Sequence, residues 1–250
     1  MRKLFVGGNW KSNGNLEFVK THCESVLNKI QFNKDKVDVV VTPINIHLQL
    51  AQTLLKNGVQ VGAQNVSQFK EGAFTGEVTA LALKDLGIKW TLVGHSERRS
   101  LFGESSQVVA NKILLAEEQG INSIACIGET KEERESNKTL QVIQSQLKAI
   151  KDVKPKWNQI VIAYEPVWAI GTGLTATPDQ AQEVHNEIRK WLEKEVSKKV
   201  ADETRIIYGG SVTDTTASSL IQKKDIDGFL VGGASLKKAF QKIVEDSKKI

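Results

Sequence analysis

The chain is a succession of short apolar runs, each followed by glycine or polar residues and then by a stretch of helical character. The runs are Leu4 to Asn9, Val37 to Thr42, Val59 to Gln64, Trp90 to His95, Ile124 to Glu129, Ile160 to Glu165, Arg205 to Gly210 and Gly228 to Gly233. Such short apolar runs, several rich in Val and Ile, read as strands buried on both faces, as in parallel sheets. Longer helices are predicted at Leu16 to Asn28, Glu104 to Gln119, Glu132 to Lys151 and Pro178 to Ser197. The last opens on Thr177 as N-cap with Pro178 at the first helical position. Gly58, Gly87 and Gly120 stand where glycine closes a helix, each shortly before the next run. Eight such units without a linker predict one α/β domain over residues 1–250: a (β/α)8 barrel of eight parallel strands inside a ring of helices. An open doubly wound sheet is the alternative.

Composition narrows the class. With 250 residues, 40% hydrophobic and 25% charged, the chain can bury a large core. Its N-terminal apolar run is too short for a signal peptide, and no segment approaches bilayer-spanning length, so a soluble, cytoplasmic protein is expected. Cys23 and Cys126 cannot build a disulfide framework and lie in no metal-type spacing. The net charge of +5 invites a nucleic-acid reading. The lysine pairs at 198–199, 223–224, 237–238 and 248–249 are nevertheless scattered at helix ends without interleaved aromatics. Neither a nucleic-acid nor a membrane partner is expected, although a modest positive field suits an anionic substrate.

The candidate chemistry sits where the runs end. Glu165 leaves a buried strand, where desolvation raises a carboxyl pKa toward that of a general base. Pro166 ends the strand, and Val167 to Ile170 lead into Gly171-Thr172-Gly173, a composition that suits a hinged lid. A barrel would gather Asn9, Lys11, His95 and Glu165 at one mouth. There Glu165 can remove a proton, His95 can polarise an oxygen, and Lys11 can stabilise negative charge. The pairs Gly209-Gly210 and Gly232-Gly233, with Ser211, let backbone amides approach an anion after the last two strands. Each has a plainer reading too. His95 can be a satisfied strand-end residue, Lys11 a solvated one, and Glu97 either an exposed helix start or the partner that orients Lys11. His22, His47 and His185 read as satisfied structural histidines, since none has metal-ligand spacing.

These residues carry a resemblance. Gly8-Asn9-Trp10-Lys11, Gly72 to Glu77, Gly94-His95-Ser96-Glu97-Arg98-Arg99, Ala163 to Gly173, Tyr208 to Val212 and Asp227 to Leu236 resemble the triosephosphate isomerase family almost end to end. The family is a known case of pKa tuning, with a glutamate base and a neutral histidine electrophile, so those two roles follow from the resemblance. It implies interconversion of dihydroxyacetone phosphate and glyceraldehyde 3-phosphate through an enediolate, in glycolysis and gluconeogenesis, without metal or organic cofactor. Glu165 and His95 take the two roles just named, Lys11 and Asn9 stabilise the enediolate oxygens, and Glu97 holds Lys11 and Ser96. Amides of Gly171, Ser211, Gly232 and Gly233 bind the phosphate. Tyr208 and Ser211 latch the lid, and Ile170 and Leu230 cover Glu165. The segment Gln64 to Glu77 resembles the family's interface loop, which implies a homodimer with Thr75 near the partner's site. Ser12, Ile44 and Leu174 depart from the family's usual residues without touching this chemistry. Two other readings are a phosphosugar aldolase with a Schiff base on Lys11, and a barrel that binds phosphorylated ligands without turnover.

Overall fold

Each apolar run becomes a strand, and the runs lie side by side. The computed structural model describes residues 2–170 and 176–248. Its strands are β1 (Leu4–Asn9), β2 (Val37–Thr42), β3 (Gln60–Val61), β4 (Trp90–Val93), β5 (Asn122–Ile127), β6 (Ile160–Tyr164), β7 (Arg205–Tyr208) and β8 (Gly228–Val231). All pairings are parallel, in the order β3-β2-β1-β8-β7-β6-β5-β4. Among the described residues, a single bridge from Ala63 to Thr91 links β3 to β4 and brings the sheet round into a nearly closed barrel. The barrel is therefore the right architecture, and the open sheet is excluded.

The helices of the outer ring come in chain order as α1 (Leu16–Ser25), α2 (Leu48–Leu54), α3 (Ala80–Asp85), α4 (Ser96–Phe102), α5 (Ser106–Glu118) and α6 (Lys131–Glu135). They continue as α7 (Thr139–Asp152), α8 (Pro178–Glu195), α9 (Lys198–Glu203), α10 (Ala217–Ile221) and α11 (Ala239–Asp246). Alternate strand residues divide between two cores. Phe5, Val40, Trp90, Leu92, Val161 and Ile207 fill the barrel, while Leu4, Val6, Val39, Ile160, Ile162 and Tyr164 pack under the helices. That is why the runs look uniformly apolar: both faces are dry.

Several boundaries differ from expectation. The helix predicted from Glu104 begins only at Ser106, capped by the Ser105 side chain on Val108 N. The one predicted from Glu132 to Lys151 breaks in two at Asn137, whose φ of 54° leaves the helical region. The third strand keeps only two of the six residues predicted for it. Gly58 stands beyond the end of α2 and does not cap it, whereas Gly87 and Gly120 follow α3 and α5 with positive φ. Thr177 and Gln180 form a reciprocal capping box at the start of α8, as the sequence suggests.

Candidate active site

Strand alternation aims the site residues. Val161 and Ala163 point into the barrel, so Glu165, two residues on, turns into its mouth, where it is 2% exposed. Phe5 points inward on β1, and the same period carries through Gly7 to Asn9. On β4 the inward residues are Trp90 and Leu92. Gly94, with φ 66°, then takes the chain out of alternation, and the following residue, His95, lines the mouth. Lys11 also has a left-handed backbone, φ 52°, which costs a non-glycine residue about 1 kcal/mol or more. Two neighbours hold it there. Its amide donates to Asn9 Oδ1 at 2.9 Å, and its carbonyl accepts from Gln64 Nε2 at 2.6 Å. Gln64 also bonds Thr42 O at 2.8 Å, which ties this corner to β2.

The side chains meet at short range. Glu165 Oε1 lies 2.9 Å from His95 Nε2, and Glu165 Oε2 accepts from the Ser96 amide at 2.9 Å. The other ring nitrogen, Nδ1, accepts from the Glu97 amide at 3.2 Å, so His95 caps α4 with its own side chain. That amide can bond only an unprotonated Nδ1, which puts the proton of a neutral ring on Nε2. Burial disfavours a charged ring here, but the Glu165 charge and hydrogen bond, then Glu97, outweigh it and raise the His95 pKa. The upward pull and the amide on Nδ1 oppose one another. Geometry favours the neutral ring, because a protonated Nδ1 would face another donor. Lys11 Nζ pairs with Glu97 Oε1 at 2.6 Å. Glu97 thus reaches Lys11, while Ser96 gives its amide to Glu165 instead.

Asn9, Lys11, His95 and Glu165 line one cavity of about 480 Å³, together with Ile170, Ser211, Leu230, Gly232 and Gly233. Gly233 opens a 3-10 turn, Gly233–Leu236, and a Cβ there would meet nothing within 4 Å. A Cβ on Gly232 would stand 3.8 Å from Lys11 Cε, so the lysine stem passes over this turn. The other glycine pair serves packing as well. A Cβ at Gly209 would stand 3.0 Å from Glu165 Cγ, and one at Gly210 would stand 2.2 Å from the Tyr208 hydroxyl. The Tyr208 side chain lies among the helices and not in the cavity. Burial, against an opposing contact with the Ala176 backbone, pushes its hydroxyl up to about 12, and no well-formed hydrogen bond to it exists among the described residues. Gly171, Gly173 and Leu174 lie outside the described residues.

Three supports have roles that the sequence did not assign to them. Gln64 is one. Arg99 is the second: it donates to Gly94 O at 2.9 Å and to Cys126 O at 3.1 Å, fixing the ends of β4 and β5 together. Fully buried Glu129 is the third, accepting on Oε1 from Tyr164 at 3.1 Å, Trp168 at 3.0 Å and Arg134 at 3.3 Å. It anchors the start of the segment after Glu165 to β5. Cys126, inside the barrel, is held well above the usual thiol range by burial and the Glu165 charge, so it offers no thiolate.

Beside the mouth lies a second cavity of about 430 Å³, which Asn9, Lys11, Gln64 and Glu97 share with Ile44 and Phe102. The surface around it is unusually apolar: Ile46 is 82% exposed, Leu101 74% and Phe102 65%. Thr75 is exposed next to Phe74, whose ring stacks on Phe69 at 4.2 Å. Among the described residues, no cluster of three or more His, Cys, Asp or Glu is placed to hold a metal ion, and no helix is long and apolar enough to cross a membrane.

Comparison with known proteins agrees with this geometry. The family model described as triosephosphate isomerase matches residues 4–247. The chain is 53% identical over 247 residues to the cytosolic triosephosphate isomerase of Oryza sativa subsp. japonica, covering 98% of this chain and 97% of that protein. It is 52% identical over 235 residues to the chloroplastic triosephosphate isomerase of Fragaria ananassa, covering 94% of this chain and 74% of that one.

Proposed function

The chain belongs to the triosephosphate isomerase family, and we propose that it interconverts dihydroxyacetone phosphate and glyceraldehyde 3-phosphate by proton transfer through an enediolate, with Glu165 as base and His95 as electrophile. The observation that carries this reading is the 2.9 Å contact between His95 Nε2 and Glu165 Oε1: on this reading the Nε2–H becomes free for a substrate oxygen when the carboxylate turns to the substrate carbon. Glu165 removes a proton beside the carbonyl, and His95 donates to the oxygen that gains charge. Lys11, held by Glu97, faces the same oxygen with Asn9. Glu165 then returns the proton to the adjacent carbon.

The amides of Ser211, Gly232 and Gly233, joined by that of Gly171, take the phosphate. Ile170 and Leu230 keep the base dry, which strengthens every charge interaction inside. Tyr208 and Ser211 hold the closed lid. The chemistry calls for no metal or organic cofactor.

The reaction belongs to glycolysis and gluconeogenesis. A cytoplasmic location is the reading taken from the cytosolic relative, although a chloroplastic one matches nearly as well. The protein works as a homodimer, in which the exposed Phe74 and Thr75 of one subunit enter the apolar-rimmed cavity beside Asn9 and Lys11 of the other. One domain spans residues 1–250. An aldolase with a Schiff base on Lys11 is disfavoured, because the family and the two named relatives point to isomerisation and Lys11 Nζ is already engaged by Glu97 Oε1 at 2.6 Å. A coupled assay of triose phosphate interconversion tests the proposal, with borohydride trapping as the control: a covalent adduct on Lys11 and no isomerisation would overturn it.

A further inference from the structure

Behind the glycine turn of the cavity sits a histidine that the chemistry above does not use. His22 lies on α1 and is 5% exposed. Its ring stacks on Phe18, with centroids 5.0 Å apart and planes at 15°, and meets Trp10 edge-on at 5.4 Å. Its Nε2 lies 2.9 Å from Ser235 O. A carbonyl can only accept, so Nε2 carries the proton. Burial, opposed by this bond, holds the ring pKa below its ordinary value, which keeps the ring neutral. An apolar side chain would fill the same aromatic slot, so packing does not explain a histidine here. The donor does.

Ser235 is fully buried and makes the connection onward. Its Oγ donates to Gly232 O at 2.7 Å, with Asn9 O standing 3.4 Å away, and its amide donates to Gly232 O at 2.8 Å. His22 therefore grips the far side of the turn whose near side carries the Gly232 and Gly233 amides. Donors that recognise an anion must be fixed to within about 0.5 Å.

We propose that His22 is a positioning residue for the substrate phosphate: by holding Ser235 O it fixes the turn Gly233–Leu236, and with it the aim of the Gly232 and Gly233 amides. The inference rests on reading those amides as phosphate donors. Inorganic phosphate, as a competitive inhibitor, tests the two separately. Wild type without competitive inhibition overturns the phosphate reading and this inference with it. With wild type inhibited, His22→Leu should raise both the phosphate inhibition constant and KM by about five- to tenfold, as expected when a buried carbonyl loses its donor. The change in kcat should be smaller. His22→Gln, which keeps an N–H at similar reach, should recover most of the loss. A folded His22→Leu with unchanged phosphate inhibition, or a His22→Gln no better than His22→Leu, overturns the positioning role and leaves the phosphate reading standing. Should His22→Leu fail to fold, the ¹⁵N resonance of His22 Nε2 in wild type decides. It should shift and saturate with added phosphate while that of His47 stays still, and an unmoved His22 signal overturns the proposal.

Discussion

Glu165 Oε1 and His95 Nε2 stand 2.9 Å apart, so the carboxylate and the ring occupy each other until something takes their place. If Glu165 is the base, Glu165→Gln should lower kcat by roughly two to four orders of magnitude, the usual share of a positioned general base. The same change removes a leading upward push on His95, so the ring should titrate at lower pH in the variant. A coupled assay and histidine NMR read the two effects. Wild-type turnover in the variant would remove Glu165 from the role.

Lys11 keeps its left-handed backbone because Asn9 and Gln64 satisfy its amide and its carbonyl. Gln64→Leu leaves two carbonyls, of Lys11 and Thr42, without that donor, at about 1 to 3 kcal/mol for each group that stays unsatisfied. Denaturant unfolding should show the loss. Displacement of the ammonium should lower kcat/KM about 10- to 100-fold. Unchanged kcat/KM in a destabilised variant would mean that Gln64 supports the fold alone.

What the sequence made legible follows from where the information lies. Glu165 could be singled out as a candidate because a carboxylate directly follows an apolar run and precedes a proline and a glycine-bounded segment. The barrel was readable because eight apolar runs alternate with helical stretches and no linker interrupts them. Gln64 was not, since a side chain bonding a backbone carbonyl 53 positions away leaves no local pattern. The break at Asn137 was hidden, although Ser136, Asn137 and Thr139 are weak helix formers, because it carries no glycine or proline. The short β3 was hidden because Val59 to Gln64 is apolar enough for a full strand, yet past Val61 the pairing narrows to the Gly62 amide on Val41 O and, among the described residues, a single bridge from Ala63 to β4.

Assembly should be visible in solution. Phe74→Asp places a charge where the proposed contact is apolar, and it should give a monomer at micromolar concentration with reduced kcat. Sedimentation alongside activity measures both. A wild-type monomer fully active at nanomolar concentration would exclude the dimer and any part for Thr75.

Acid should expose His185. Burial, opposed by its bond to the Asp225 backbone, lowers its pKa to about 4 in the fold, below its ordinary value. Below about pH 6.5 the unfolded chain takes up a proton that the native ring refuses, so stability falls as pH drops and levels off near pH 4. The full effect is about 3 to 4 kcal/mol. Unfolding of His185→Gln should therefore depend less steeply on pH than wild type between these limits. Identical slopes would show that the ring titrates normally.

The seam at Ala63 has a kinetic consequence. Two hydrogen bonds hold it, Ala63 N to Trp90 O at 2.9 Å and Leu92 N to Ala63 O at 2.8 Å, and the segment proposed to reach the partner leaves from the next residue. Whatever grips that segment also clasps this single-bridge join. Solvent exchange at the Ala63 and Leu92 amides should then slow as protein concentration rises, while amides in the broad β1–β2 ladder keep their rate, because association draws on the closed form of the join alone.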